Sequence, residues 1–159
     1  MSSTPPPINE SLSASENKSI DFTQALNEAC KEWQIRLNLQ DWIVKVSTAR
    51  AKDLDDESRT VANNTHSLSE KYSHIRVLDP VDIPLVEAQL PEGEAQDYDL
   101  HLVHELLHLH FAWFQAEDNT RESVAQEQAI NSISRSLVKA YRSAGQLATP
   151  PAVQAGHYF

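Results

Sequence analysis

The chain has 159 residues, a length that favours a single domain. Lys and Arg number 13 against 23 Asp and Glu, so the formal net charge is −10. This charge disfavours nucleic-acid binding and docking on an anionic membrane, because both depend on basic residues. With three glycines in the whole chain, a glycine-rich nucleotide-binding loop is also excluded. The sequence therefore predicts neither a nucleic-acid nor a membrane partner, and it leaves the oligomeric state open.

The cellular compartment is predicted from features that the sequence lacks. No apolar run approaches the roughly 18 residues that a membrane-spanning helix needs. The start of the chain has neither the basic segment nor the apolar core of a signal peptide. Cys30 is the single cysteine, so no internal disulfide can form, which suits a reducing environment. We expect a cytoplasmic protein.

The two ends of the chain differ in composition from the middle. Residues 1–19 contain three consecutive prolines and many serines, and residues 145–159 contain a further Pro-Pro pair. Segments with so few large apolar side chains cannot offset their own ordering entropy, so both are predicted to be flexible tails. The folded domain is expected at residues 20–144, a size that buries roughly two thirds of its unfolded surface.

Apolar periodicity predicts the first elements of this domain. Residues at helical spacing indicate a first helix over about 22–37. Alternation of apolar and polar residues indicates a half-buried strand at Trp42–Ser47, followed by an acidic loop around Asp53. We expect a weak strand at Thr60–Asn64 and a stronger one at Tyr72–Leu78.

The second half of the domain is predicted to be helical. Residues 79–96 hold prolines and a glycine, and we expect an irregular connection there. A helix is then predicted from Asp97 to about Gln115, and another from Thr120 to about Arg142.

The pattern that indicates chemistry is His104-Glu105-Leu106-Leu107-His108, an H-E-x-x-H motif inside an apolar helix. Two histidines four residues apart lie one turn apart on the same helix face, so both imidazoles can reach one metal ion. The glutamate between them then lies beside a metal-bound water and can act as a general base. A buried helix with hydrogen-bonded core histidines is the alternative, which the spaced pair with its glutamate disfavours.

Two further histidines lie on the same helix. His101 lies within roughly 20° of His108 on a helical wheel. It could hydrogen-bond a metal-ligating side chain, contact substrate or replace a ligand. A supporting or simply exposed position is the preferred interpretation. His110 is rotated by about half a turn from the motif face, and it is expected to be an ordinary surface or packing histidine.

A catalytic zinc site needs a third protein ligand, and three downstream glutamates compete for this role. Glu117 falls in the expected turn between the helices. Glu122 has a structural role as the acid of a capping box with Asn119. Glu127 lies beside the predicted apolar stripe of the last helix (Ile130, Ile133, Leu137 and Tyr141), where an unpaired carboxylate would be costly. Folding the two helices back on each other brings it level with His108, so Glu127 is the predicted third ligand.

These motifs resemble the gluzincins, the thermolysin-like branch of zinc metallopeptidases, and especially very small members found in phages and bacteria. That family carries H-E-x-x-H on one helix and a glutamate ligand about twenty residues further on, and Glu127 follows His108 by 19 residues. The family often has an aspartate four residues after that glutamate, supporting a ligand histidine; here the residue is Asn131. The resemblance covers about residues 72–142, and it does not extend to the large second lobe of thermolysin.

The resemblance implies an α+β, zincin-like fold. A short mixed sheet would pack against an N-terminal helix, the H-E-x-x-H helix and the helix that carries the third ligand. It also implies a Zn²⁺ cofactor held by His104, His108 and Glu127, a peptide or protein substrate, and hydrolysis by a zinc-bound water with Glu105 as general base. In zincins an edge strand before the active helix pairs with substrate, and the strand at Tyr72–Leu78 is the candidate. A strand that merely closes the sheet would show the same pattern.

Two other functions stay open from the sequence. One is a zincin-fold protein that binds metal and a regulatory partner but cleaves nothing. The other is a plain interaction module in which the motif is coincidental. For the peptidase, an oxyanion-stabilising residue is also expected, and the sequence does not rank the candidates, which are Tyr72, His74, His101 and Tyr141.

Overall fold

The computed structural model describes residues 14–54 and 60–147. Within these ranges it is an α+β fold with a three-stranded mixed sheet and five α-helices. The predicted tails at 1–19 and 145–159 lie mostly outside the described residues. The first and last helices extend into the described parts of both segments.

Helix α1 spans Ala14–Arg36, so it begins eight residues before the predicted start. Its end is well defined. Asn38 adopts a left-handed conformation with φ of 54°, and its N–H donates to the Ile35 carbonyl. The next N–H, of Leu39, donates to the Gln34 carbonyl at 2.8 Å. This is a Schellman ending, in which an asparagine takes the position that glycine usually occupies.

The sheet has the order β1-β3-β2, with β1 at Ile43–Ala49, β2 at Ala62–Ser67 and β3 at Tyr72–Leu78. β1 runs parallel to β3, and β2 runs antiparallel to it. β3 is therefore the central strand, and its expected role as the substrate-pairing edge is wrong. β2 is the edge strand on the other side. Compared with the weak strand predicted at Thr60–Asn64, β2 starts two residues later and ends three residues later.

Two predicted loops contain short helical segments. A one-turn helix, α2, spans Ala51–Leu54 within the acidic loop, whose residues 55–59 lie outside the described residues. The connection after β3 contains 3₁₀ turns and a second one-turn helix, α3, at Ile83–Val86. Asp82 joins the two regions, because its carboxylate accepts hydrogen bonds from the Arg50 guanidinium at 2.7 Å and from the Ala51 N–H at 2.9 Å.

Helix α4, Tyr98–Phe111, is the centre of the fold. It begins at Asp97, whose side chain accepts a hydrogen bond from the Leu100 N–H. Eight of its 14 residues are buried, since it packs against the sheet, α1 and α5. The helix ends four residues before the predicted end and continues as a 3₁₀ turn over Ala112–Phe114.

Helix α5, Arg121–Leu147, packs against α4 after a reversal of the chain. Its buried positions are Ile130, Ser134 and Val138, spaced four residues apart. Ile133, which was predicted to belong to the apolar stripe, is 39% exposed. The contact with α4 is therefore narrower than predicted and includes a small polar residue.

One apolar cluster joins α1, the sheet, α4 and α5. Its fully buried members are Ile75, Val77, Leu102, Val103, Leu106 and Ile130. A second cluster contains the buried residues of α2 and α3 together with Leu78 and Ala95. None of the described helices is long and apolar enough to cross a membrane.

Candidate metal centre

The H-E-x-x-H motif lies in the middle of α4, where the helix is held on several sides. Because His104 and His108 are four residues apart, both side chains leave the helix on the same face. Their Nε2 atoms are 3.2 Å apart, and both side chains are partly buried. The motif therefore presents two imidazole nitrogens toward one point.

Helix α5 brings a carboxylate to that point. Glu127 Oε1 lies 3.2 Å from His108 Nε2, and Oε2 lies 3.5 Å from His104 Nε2. Ligand atoms placed 2.0–2.1 Å from a tetrahedral zinc ion lie about 3.3–3.4 Å from one another. The two imidazole nitrogens lie close to this spacing, and Glu127 approaches each of them at a similar distance with a different carboxylate oxygen. His104, His108 and Glu127, called the triad below, form a group whose ligand atoms could hold one metal ion.

The surroundings of the two imidazoles favour their neutral forms. Burial lowers the pKa of His104 and of His108, although the charge of Glu127 acts in the opposite direction on both. A histidine must be deprotonated at the coordinating nitrogen before it can bind a metal. Burial thus favours the neutral form of both histidines, which is the form that can bind a metal.

Glu105 is in the motif but is not one of the clustered ligand atoms. Its side chain is 6% exposed. Burial raises the pKa of its carboxyl group to about 8, and the charge of Glu127 adds to the rise. A carboxylate with a raised pKa accepts a proton more readily than one in water. A carboxyl group whose pKa lies near the working pH can both take up and release a proton, as general acid–base catalysis requires.

Helix α4 is attached to the edge strand beside the motif. Asn64 of β2 donates its side-chain N–H to the Glu105 backbone carbonyl at 2.9 Å. The Asn64 side-chain oxygen accepts a hydrogen bond from the hydroxyl of Ser73, which is fully buried. Because both ends of the amide are engaged, its orientation is fixed. This contact sets the distance between β2 and the motif.

Two predicted supporting residues have different surroundings. The Asn131 side chain hydrogen-bonds the imidazole of His104, which partly opposes the lowering of the pKa of that histidine by burial. His101 is buried with 6% exposure, and its Nε2 has no hydrogen-bond partner among the described residues. Asn131 therefore contacts the triad, whereas His101 lies outside it.

The competing residues lie elsewhere. Glu117 and Glu122 are exposed and do not belong to the ligand group. His110 contacts the Leu37 carbonyl through Nε2 at 2.8 Å, so it joins α4 to the end of α1 as a packing histidine, as predicted.

The predicted capping box of α5 is wrong. Thr120 and Ser123 cap the helix reciprocally, since each backbone N–H donates to the other hydroxyl at 3.1 Å. Asn119 instead takes a left-handed conformation in the turn, with φ of 60°. Glu122 therefore has no part in this cap.

Cavities lie on the two sides of the triad. The first, of about 190 Å³, is lined by residues that include Ala62, His101, His104 and Glu105. The second, of about 180 Å³, is lined by residues that include His66, His108 and Glu127. Since Ala62 and His66 lie near opposite ends of β2, the edge strand runs from one cavity to the other.

Three of the predicted oxyanion candidates lie away from these cavities. The Tyr141 hydroxyl donates to Glu32 on α1, and His74 contacts the Ser47 hydroxyl at 2.7 Å across the sheet. Tyr72 is exposed at the start of β3. These three do not line either cavity, whereas His101 lines the first.

Asn64 and His66 are site residues that were not predicted from the sequence. Both lie at alternate positions of β2 with the buried Ala62, which puts all three on the face toward α4. Polar residues at inward positions of a strand are the signal that could have identified them. The predicted strand ended at Asn64, so His66 was not placed in the strand.

Comparison with known proteins adds no relative. No protein-family model, no curated protein and no solved structure matches the chain. The interpretation of the site consequently depends on its own residues and their geometry.

Proposed function

We propose that this protein is a zinc-dependent peptidase, a small gluzincin-like enzyme that hydrolyses peptide bonds. The observation that carries the proposal is the triad, in which three side chains from two helices meet at separations of 3.2–3.5 Å. Two histidines and one carboxylate, with a fourth position left for water or substrate, are a typical ligand set for a catalytic zinc ion.

The donor set favours zinc over other common ions. Two imidazole nitrogens and one carboxylate suit Zn²⁺, whereas Mg²⁺ and Ca²⁺ prefer sites built from oxygen atoms. When bound, zinc supplies a water of lowered pKa and polarises the substrate carbonyl group. His104, His108 and Glu127 would hold it, and Asn131 would orient the imidazole of His104 from behind.

Glu105 performs the proton transfers in this mechanism. Its carboxylate takes a proton from the attacking water as the oxygen of that water bonds to the carbonyl carbon. The same carboxyl group then gives the proton to the leaving amine as the C–N bond breaks. The low exposure of Glu105 and its raised pKa support both steps.

The edge strand supplies a surface for the substrate backbone. Among the described residues, β2 pairs only with β3, so its other side offers backbone N–H and C=O groups to an extended peptide. A peptide added there would run along β2 from the first cavity to the second and pass the triad. Its side chains on either side of the cleaved bond would enter the two cavities.

The test is hydrolysis of fluorescein-labelled casein by the full chain loaded with one equivalent of zinc. We expect cleavage that stops on chelation and returns when zinc is restored. Glu105→Gln should bind zinc as tightly as the parent and lose cleavage, because the amide cannot accept the proton. Asp53→Asn, which removes an exposed carboxylate from α2, is the control and should cleave normally.

Two outcomes would overturn the proposal. Full activity in Glu105→Gln would exclude the general-base role. A zinc-loaded parent that cleaves neither casein nor a peptide library would exclude the peptidase, and a metal-binding regulatory protein would become the better interpretation.

A further inference from the structure

His66 is a histidine beside the triad that has no role in the mechanism described so far. It lies on β2 and lines the second cavity together with His108 and Glu127. It is not among the ligand atoms that lie within 4.8 Å of one another. His66 is therefore close to the triad without belonging to it.

The alternation of β2 directs His66 toward α4. Asn64, two residues earlier, contacts the Glu105 carbonyl from the same face of the strand. His66 packs edge-on against Trp42, with ring centroids 6.2 Å apart. His66 and His108 line the same cavity. The strand thus aligns His66 with the last ligand of the motif, as it aligns Asn64 with Glu105.

The two ring nitrogens of His66 have different surroundings. Nδ1 is buried and has no hydrogen-bond partner among the described residues, whereas Nε2 is not one of the buried atoms without a partner. Nδ1 therefore has no partner with or without a proton, and burial alone does not select the tautomer. The tautomer with its proton on Nε2 offers an N–H donor to the cavity.

We infer that His66 is a further catalytic residue, which donates its Nε2–H to the carbonyl oxygen of the bond being cleaved. This inference rests on the proposed function. Glu105 lines the first cavity and His66 the second, so base and donor act from opposite sides of the triad.

The step requires a donor at this oxygen. As the water oxygen bonds to the carbonyl carbon, the C=O π electron pair moves onto the carbonyl oxygen, and the proton of the water passes to Glu105. When the C–N bond breaks, that pair restores the C=O bond, and the amine receives the proton. An N–H facing the oxygen stabilises its transient charge, and loss of one such donor typically lowers kcat about 100- to 1000-fold.

The test separates the donor from the packing of the ring. A fluorescence-quenched peptide containing the main casein cleavage site provides kcat and KM for zinc-loaded variants. His66→Phe keeps the ring against Trp42 and should lower kcat about 100-fold with little change in KM. His66→Gln places an amide N–H near the Nε2 position and should recover part of the loss. His66→Asn places it near Nδ1 and should resemble His66→Phe.

A readout independent of activity comes from nuclear magnetic resonance. Long-range ¹H–¹⁵N spectra of the zinc-loaded Glu105→Gln variant should show the proton of His66 on Nε2. Zinc affinity should be unchanged in all three His66 variants, since His66 is not a ligand in this account. His110→Gln, at a histidine that contacts the Leu37 carbonyl, is the control and should keep normal kcat.

The failures can be told apart. Normal kcat in His66→Phe, or a proton on Nδ1, would overturn the role of His66 and leave the peptidase proposal intact. Loss of zinc in that variant would overturn it as well, since His66 would then act on the metal. An inert zinc-loaded parent would overturn both.

Discussion

Removal of Glu127 tests the third ligand, because a neighbouring acid on the same helix provides a matched control. Glu127→Ala deletes the carboxylate that contacts both imidazoles, whereas Glu122→Ala deletes an exposed carboxylate that contacts neither. Both side chains are substantially exposed, and Glu127 is 48% exposed. Truncation should therefore leave the core unchanged in either variant, and only zinc affinity should separate them.

The magnitude follows from the number of ligands. Structural zinc sites with four protein ligands bind with about 10–16 kcal/mol, which is roughly 2.5–4 kcal/mol for each ligand. Loss of one ligand should then weaken zinc binding about 100- to 1000-fold. The Glu122→Ala variant should bind zinc within about twofold of the parent.

The assay is a competition titration with a chromogenic zinc chelator, supported by thermal unfolding. At free zinc 100 times above the dissociation constant, binding stabilises the fold by about 2.7 kcal/mol, so zinc should raise the Tm of the parent and of Glu122→Ala. The same zinc concentration should raise the Tm of Glu127→Ala far less. Equal affinities in all three proteins, or a loss confined to Glu122→Ala, would refute the triad.

Other predictions concern the framework around the site. Asn64→Ala should lower the free energy of unfolding by about 1–3 kcal/mol in urea titrations, because the buried Ser73 hydroxyl loses its acceptor; an unchanged midpoint would contradict this. Thr120→Ala should cost about 1 kcal/mol and Glu122→Ala much less, since Thr120 is the cap; the reverse order in urea would contradict the cap. Arg50, followed by the Ala51 N–H, lowers the pKa of Asp82 to about 2, so the ionised carboxylate stabilises the fold above pH 4. This contribution should disappear as the pH falls toward 2, and the stability difference between Asp82→Asn and the parent should shrink over that interval.

The ligand set could be predicted from the sequence because it depends on local periodicity. The i, i+4 spacing fixes the relative directions of His104 and His108 once α4 forms. The prediction of Glu127 as the third ligand needed only one further assumption, that α4 and α5 pack against each other. The expected cost of burying its carboxylate is smaller than predicted, since the Glu127 side chain is 48% exposed although Ile130, three residues further on, is fully buried. The position of Glu127 along α5, next to the two motif histidines, agrees with the prediction.

The order of the strands could not be predicted in this way. Alternation in Tyr72–Leu78 correctly indicates a strand with one buried face, but it does not say which neighbours pair with it. Pairing depends on contacts between residues distant in the sequence, such as Val46 with Ile75 and Ala62 with Val77. The weak strand therefore became the edge beside the site, and its inward polar residues were missed.

The alternative account of the triad is a hydrogen-bonded cluster of two histidines and a glutamate without a metal. The measurement that separates the two accounts is the zinc content of the full chain, loaded with one equivalent of zinc and dialysed against metal-free buffer. We predict one zinc ion per chain, and its loss in His104→Ala and in His108→Ala. Less than about 0.1 zinc per chain in the parent, or full zinc content in either histidine variant, would contradict the metal centre.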